Sequence, residues 1–312
     1  MTEQTQTSAR PQIAVIGATG VGMVFRVPRQ PRPGETLIGG QLHTMSGGKA
    51  SNHAIGLARL GCQVRLFSAL GADSLAEQAS AAWPPESVDT SALVIKTDQP
   101  SLVGVVLVSD DGENCVVLAP GAMDAYTAAD VARHRGHMAG CDLALCSLEM
   151  PLEAAREALR AARERGVTTF LNPAPAHEGS LMTELIALAD WITPNRGEAQ
   201  ALTGEADPER AAQVLASMGA GNVVVTLGGD GALLLTDGEV TRIAAPQVAA
   251  TDTSGAGDAF NAALVAAIGY GATASAAVTW ACYAASLVVQ APGFADAMYM
   301  WDGIKHIHEV VT

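Results

Sequence analysis

From about residue 140 onward, short apolar runs alternate with longer stretches in which apolar residues recur every three or four positions. A strand buried on both faces reads as a continuous apolar run, so this alternation predicts a mainly parallel sheet with helices on both faces. Predicted strands are 142–148, 167–172, 191–193, 223–227 and 232–235. Between the first two, Pro151 opens a helical pattern that runs through Arg165 and stops at Gly166, the order of ends that helices favour. Residues 208–218 read as another helix, closed by Gly219.

The first third follows a different pattern. Residues 13–16 form a strand, but Pro28, Pro31 and Pro33 forbid a crossover helix after it, which predicts extended, hairpin-like chain. Residues 101–109 and 114–118, joined by Asp110, Asp111 and Gly112, have the period and punctuation of a β-hairpin. Together these predict a small β-sheet lid, from about 21–46 and 100–120, projecting from an α/β body. There is no repeat, low-complexity tract or linker, so residues 12–312 read as one domain and 1–11 as a disordered tail.

Composition narrows the function classes. The 312 residues are 49% hydrophobic and 16% charged, which fits an ordered globular chain, and a formal charge of -14 with no basic stripe speaks against nucleic-acid partners. Five scattered cysteines without a CxxC pair argue against a disulfide framework or a zinc site and fit a reducing cytoplasm. The polar start shows no secretory signal. Residues 272–291 are uncharged, but they are built from Ala, Ser and Thr with Tyr283 and Gln290 among them, and read as a close-packed core helix rather than a membrane span.

The strongest chemical signal is Thr251-Asp252-Thr253-Ser254-Gly255-Ala256-Gly257-Asp258-Ala259-Phe260, followed by a helical run over 261–268. Small residues at a helix start leave backbone N–H groups pointing outward at the positive end of the helix dipole, which makes an anion hole around Gly255, Ala256 and Gly257. Asp258 then has two open roles, a helix cap or a base that deprotonates a hydroxyl beside a phosphoryl group. Only three lysines occur, Lys49, Lys96 and Lys305, and Lys49 follows Gly47 and Gly48.

DTSGAGDAF resembles the C-terminal signature of the ribokinase-like (PfkB) carbohydrate kinases, whose last Asp is the catalytic base. Other motifs of that family follow in its order. Gly47-Gly48-Lys49 with Asn52, after Gly34-Glu35-Thr36, is similar to the family's substrate motif. Glu149 resembles a substrate-side Glu at a strand end, and Asn172-Pro173-Ala174-Pro175-Ala176 is similar to NPAPA. Asn195 with Glu198 resembles the NxxE element near magnesium and phosphates, and Thr226-Leu227-Gly228 with Gly231 the stretch that lines the nucleotide. The resemblance, over residues 12 to 300, implies a three-layer α/β/α core with a lid. It further implies an ATP- and magnesium-dependent kinase for a sugar or sugar-like acceptor, Asp258 as base, and a homodimer formed through the lid. The bland alternatives are a turn at Gly47-Gly48, a surface Lys49 and a plain helix cap at Asn195 and Glu198.

Departures from the family pattern matter for the substrate. Where the family carries an Asn and an Asp that grips secondary sugar hydroxyls, this chain has Gly20 and Gly22. Loss of charge-assisted hydrogen bonds, on the order of 1.5 to 3 kcal/mol each, puts ribose in doubt, and the glycines imply room for a bulkier or less hydroxylated acceptor such as a nucleoside or sugar acid. Ala297 stands where the family has a Ser beside a monovalent-cation site, although Asp252 and Gly293 remain, which leaves potassium activation open. Two other readings are weaker. Gly17 to Gly22 has GxxGxG spacing and no following helix, unlike a nicotinamide-dinucleotide loop, and His43 and Ala50 break a Walker pattern around Lys49. A ligand-sensing protein that kept the fold and lost the chemistry is the non-enzyme alternative, and the intact Asp258 motif speaks against it.

Overall fold

A computed structural model describes residues 10–38, 40–84, 87–110 and 113–290. Among these, nine strands form the main sheet: β1 (Gln12–Ile16), β4 (Gln63–Phe67), β6 (Val88–Asp89), β10 (Leu143–Ser147), β11 (Thr168–Asn172), β12 (Trp191–Ile192), β13 (Asn222–Thr226), β14 (Ala232–Thr236) and β15 (Glu239–Ile243). Their order is β15-β14-β13-β12-β11-β10-β1-β4-β6. The pairings from β6 to β13 are parallel, and β14 and β15 close one edge antiparallel.

The alternation in β1 shows why both faces are covered. Ile13 and Val15 enter one core with α1 (Lys49–Arg59), α8 (Ala256–Gly269) and α9 (Ala274–Val288). Ala14 and Ile16 enter the other, with α4 (Leu152–Arg163), α5 (Ser180–Ala187), α6 (Arg196–Thr203) and α7 (Pro208–Ser217). Two shorter helices, α2 (Ser74–Ser80) and α3 (Ala128–His134), and the two-strand pair β5 (Ala69–Gly71) and β7 (Val94–Lys96) complete the body. The result is the three-layer α/β/α arrangement that the resemblance implies, with the parallel body expected from about residue 140 onward.

The small sheet is present as well. Its order is β3 (Gln41–Gly47), β2 (Gly20–Val27), β8 (Leu102–Ser109), β9 (Asn114–Ala119). β2 pairs antiparallel with β3 and parallel with β8, so two separated hairpin-like segments are joined through their inner strands. Asp111 and Gly112 of the predicted turn lie outside the described residues.

Three expectations change. The ordered chain starts before residue 12, since Pro11 is buried and its carbonyl accepts the Gln63 N–H at 2.9 Å. α8 begins at Ala256, so the glycine motif itself forms the helix start. Helix α1 and strand β4, neither predicted, carry much of the first core. No helix among the described residues is long and apolar enough to cross a membrane; α9 is instead a core helix with Ala277, Ala281 and Ala284 buried.

Candidate active site

Two helix starts converge at the site. Gly48 caps α1 with φ 87°, and a Cβ there would stand 2.4 Å from the Ala18 carbonyl oxygen, so both the turn and the close backbone approach require glycine. The next N–H, that of Lys49, donates to Glu149 Oε2 at 2.8 Å, which fixes α1 to the chain leaving β10. At the other helix, Gly255 takes the left-handed conformation, φ 76°, and turns the chain into α8. Ala259 N–H makes the first helical bond to the Gly255 carbonyl, at 2.9 Å, and Ala256 N–H turns back to the Thr253 carbonyl at 3.2 Å. The N–H groups of Gly257 and Asp258 precede the first helical bond and are the donors this helix start offers a ligand.

Asp258 is 6% exposed and does not cap its own helix; its partners come from α1. Asn52 Nδ2 donates to Oδ2 at 2.7 Å, while Lys49 Nζ and His53 Nε2 each stand 3.5 Å from Oδ1. The cap reading of Asp258 therefore falls away. Burial pushes the Asp258 pKa up, but the Lys49 ammonium, His53 and the Asn52 amide outweigh it and hold the carboxyl well below the usual carboxylate range. The same pairing raises Lys49, chiefly through Asp258, against burial and with help from Glu149 and Glu198. Glu149, unlike Asp258, is raised: burial pushes its pKa up, Lys49 only partly opposes this, and the Asp258 charge adds to it.

On the far side of the α8 start lies a cavity of about 240 Å³, bounded by Thr226, Gly228, Gly231, Val248, Ala285 and Val289 and reaching Ala256, Gly257 and Phe260. Its walls are mostly apolar, and Ala256 and Gly257 of the glycine motif form part of its rim. The predicted residues Thr226, Gly228 and Gly231 thus share one cavity with two of the glycine-motif residues. Cys282, which no sequence signal singled out, also lines it, with burial pushing its thiol to about 11.

Asn195 and Glu198 form a reciprocal capping box at the start of α6, each side chain accepting the other's N–H at 2.8 Å. The helix-cap reading of this pair is realised; burial raises the Glu198 carboxyl, and the Asn195 N–H and the Lys49 charge only partly oppose that. Among the described residues no group of three or more His, Cys, Asp or Glu is placed to hold a metal ion. Asp252 Oδ1 accepts the Ser254 N–H at 2.8 Å and so shapes the turn before α8. Gly293 and Ala297, the other members of the expected monovalent-cation site, lie outside the described residues.

The expected room beside Gly20 and Gly22 needs correcting. A Cβ on Gly20 would stand 2.3 Å from the Leu102 carbonyl oxygen, so glycine there serves the close β2–β8 pairing and opens no space. At Gly22 a Cβ would stand 3.3 Å from Met45 Cγ, a flexible side chain on the neighbouring strand. Only Gly22 therefore adjoins volume that can change. Two further residues escaped the sequence reading. His53 lies one turn after Lys49, a spacing that could have flagged it. Asn261 accepts from Thr193 Oγ1 at 2.6 Å and donates to the Gly257 carbonyl at 2.8 Å, tying the glycine turn at the start of α8 to the end of β12.

Comparison with known proteins places this geometry in a class. Residues 10–299 match the pfkB family carbohydrate kinases, and the chain belongs to that family. It is an ATP-dependent carbohydrate kinase with the ribokinase-like fold. It is 35% identical over 264 residues to the ribokinase of Haemophilus influenzae, which spans 83% of this chain and 86% of that one. With the deoxyribokinase of Salmonella typhimurium it shares 31% over 253 residues, 80% and 82% of the two chains. The structure of Arabidopsis thaliana ribokinase complexed with ribose and ATP superposes with a TM-score of 0.83 at 26% identity, covering 93% and 96%.

Proposed function

We propose that Asp258 is the general base for phosphoryl transfer from ATP to a hydroxyl of the sugar, and that the preferred sugar carries few hydroxyls at the end facing Gly22. The observation that carries the first part is the Asp258 carboxylate, buried and oriented by Asn52 and Lys49 beside free N–H groups at the start of α8. The acceptor O–H breaks, its oxygen bonds to the γ-phosphorus as the bridging P–O bond to ADP breaks, and the proton passes to Asp258. A carboxylate is too weak a base to take the proton from a free alcohol ahead of attack; transfer waits until the forming O–P bond makes the hydroxyl acidic. The N–H groups of Gly257 and Asp258 stabilise charge on the transferring oxygens, whereas that of Ala256, expected to join them, is turned back to the Thr253 carbonyl. Lys49, ion-paired with Asp258 but partly exposed, turns towards the transferring phosphoryl charge, and its departure makes Asp258 more basic as the reaction proceeds.

Gly47, Gly48, Lys49, Asn52 and Glu149 are assigned to the acceptor side, and Asn195, Glu198, Thr226, Gly228 and Gly231 to the nucleotide side. Magnesium neutralises triphosphate charge when bound. With no cluster of three metal-ligating side chains among the described residues, it would be held largely through phosphates and water, with Asn195 and Glu198 nearby. Potassium at Asp252 remains a secondary assignment. A homodimer through the lid is supported by exposed Leu42, Val116, Val117 and Leu118 on its strands, and a cytoplasmic setting by the free cysteines.

The substrate reading rests on Gly22 and Met45, which offer no hydrogen bond from a side chain to a secondary hydroxyl. A coupled ADP-release screen over D-ribose, 2-deoxy-D-ribose, sugar acids and nucleosides tests it. The expected result is a higher kcat/KM for a deoxygenated or substituted acceptor than for D-ribose; D-ribose as best acceptor by a wide margin contradicts the reading.

A further inference from the structure

His53 is fully buried, and neither of its ring nitrogens makes a hydrogen bond among the described residues. Buried histidines that serve only packing usually satisfy at least one nitrogen, so an unpaired ring kept inside the first core calls for a use. Asp258 Oδ1 stands 3.5 Å from Nε2, a distance that carries charge interaction but falls short of a well-formed hydrogen bond. Positions 49, 52 and 53 share one face of α1, and all three aim at the same carboxylate. The charged groups that face the ring are Lys49 on its own helix, Asp258 on α8 and Glu149 after β10.

The division of labour among the three differs. Asn52 holds Oδ2, Lys49 and His53 face Oδ1, and of these two only Lys49 is exposed enough to leave. We propose that His53 is a positioning residue for Asp258: Nε2 retains Oδ1 while Lys49 follows the transferring phosphoryl group, so the carboxylate keeps its orientation towards the acceptor hydroxyl. The inference rests on the reading of Asp258 as base. It assigns to the ring an effect on turnover and none on the binding of sugar or nucleotide, because the fully buried ring offers a ligand no exposed surface.

The test compares His53→Leu, His53→Asn and His53→Gln in steady-state kinetics of the full chain, beside Asp258→Asn. Gln can donate from about the place of Nε2, whereas Asn reaches only as far as Nδ1. The expected result is a kcat for His53→Leu and His53→Asn lower by about ten- to a hundredfold, with KM for both substrates within about twofold, and recovery of most of the loss in His53→Gln. Equal kcat for the Gln and Asn variants overturns the proposal even if the Leu variant fails to fold, as does a loss confined to KM. If Asp258→Asn is inactive while His53→Leu turns over like the parent, the base reading stands and the His53 role falls. If Asp258→Asn is fully active, both fall.

Discussion

The Asn52 side-chain amide donates to Asp258 Oδ2 at 2.7 Å, joining residues 206 positions apart and the first helix to the eighth. Removing that amide leaves a buried carboxylate oxygen without its donor, a loss of about 1.5 to 3 kcal/mol for a hydrogen bond to a charged group. Asn52→Ala is therefore expected to lower both the urea midpoint and kcat, and Asn52→Ala in an Asp258→Asn background to cost less stability than in the parent. Chemical denaturation of the four proteins in that cycle checks the coupling.

The two glycines of β2 predict opposite outcomes. Gly22→Asp has only Met45 to displace, so it is expected to fold and to raise kcat/KM for D-ribose relative to 2-deoxy-D-ribose by about tenfold or more, the worth of one charge-assisted hydrogen bond. Gly20→Asp drives its Cβ into the Leu102 carbonyl and is expected to lose several kcal/mol of stability, on the order of a severe backbone clash. Thermal melts and a two-sugar competition assay separate these results.

Acid stability depends on a pair remote from the active site. Lys96 Nζ lies 2.7 Å from Asp130 Oδ2, and Asp130 also caps α3 with Thr127. Burial pushes the Asp130 carboxyl up, yet Lys96 and Thr127 outweigh it and hold the pKa at about 2. Because the folded value lies below the unfolded one, its stabilisation, roughly 2 kcal/mol, is complete above about pH 4 and disappears as pH falls towards 2. Urea titrations at pH 6 and pH 3 are expected to show a smaller difference in Lys96→Met than in the parent.

How far the sequence reveals this protein depends on where the information sits along the chain. The parallel body was readable because β10 and β13 carry unbroken apolar runs and β11 an apolar pair, each set between helical patterns, and the lid because prolines and a turn interrupt its strands. β4 was missed: Gln63 and Arg65 interrupt its apolar residues, and its partners β1 and β6 are distant in sequence. Motifs marked Lys49, Asn52 and Asp258, but nothing local shows that the first two meet at the Asp258 carboxylate or that His53 joins them. The space at Gly20 was misread for the same reason, since the atom that fills it belongs to Leu102, on a strand 82 positions later — a matter of tertiary register alone.

Phosphoryl transfer by Asp258→Asn, measured as ADP release after ATP binding has been confirmed by calorimetry, bears most directly on the chemistry argued above. The amide keeps the shape of the side chain and removes its capacity to accept a proton, so kcat is expected to fall by about 10²- to 10⁴-fold while the nucleotide Kd changes little. Turnover equal to the parent, with ATP bound as before, contradicts Asp258 as the base.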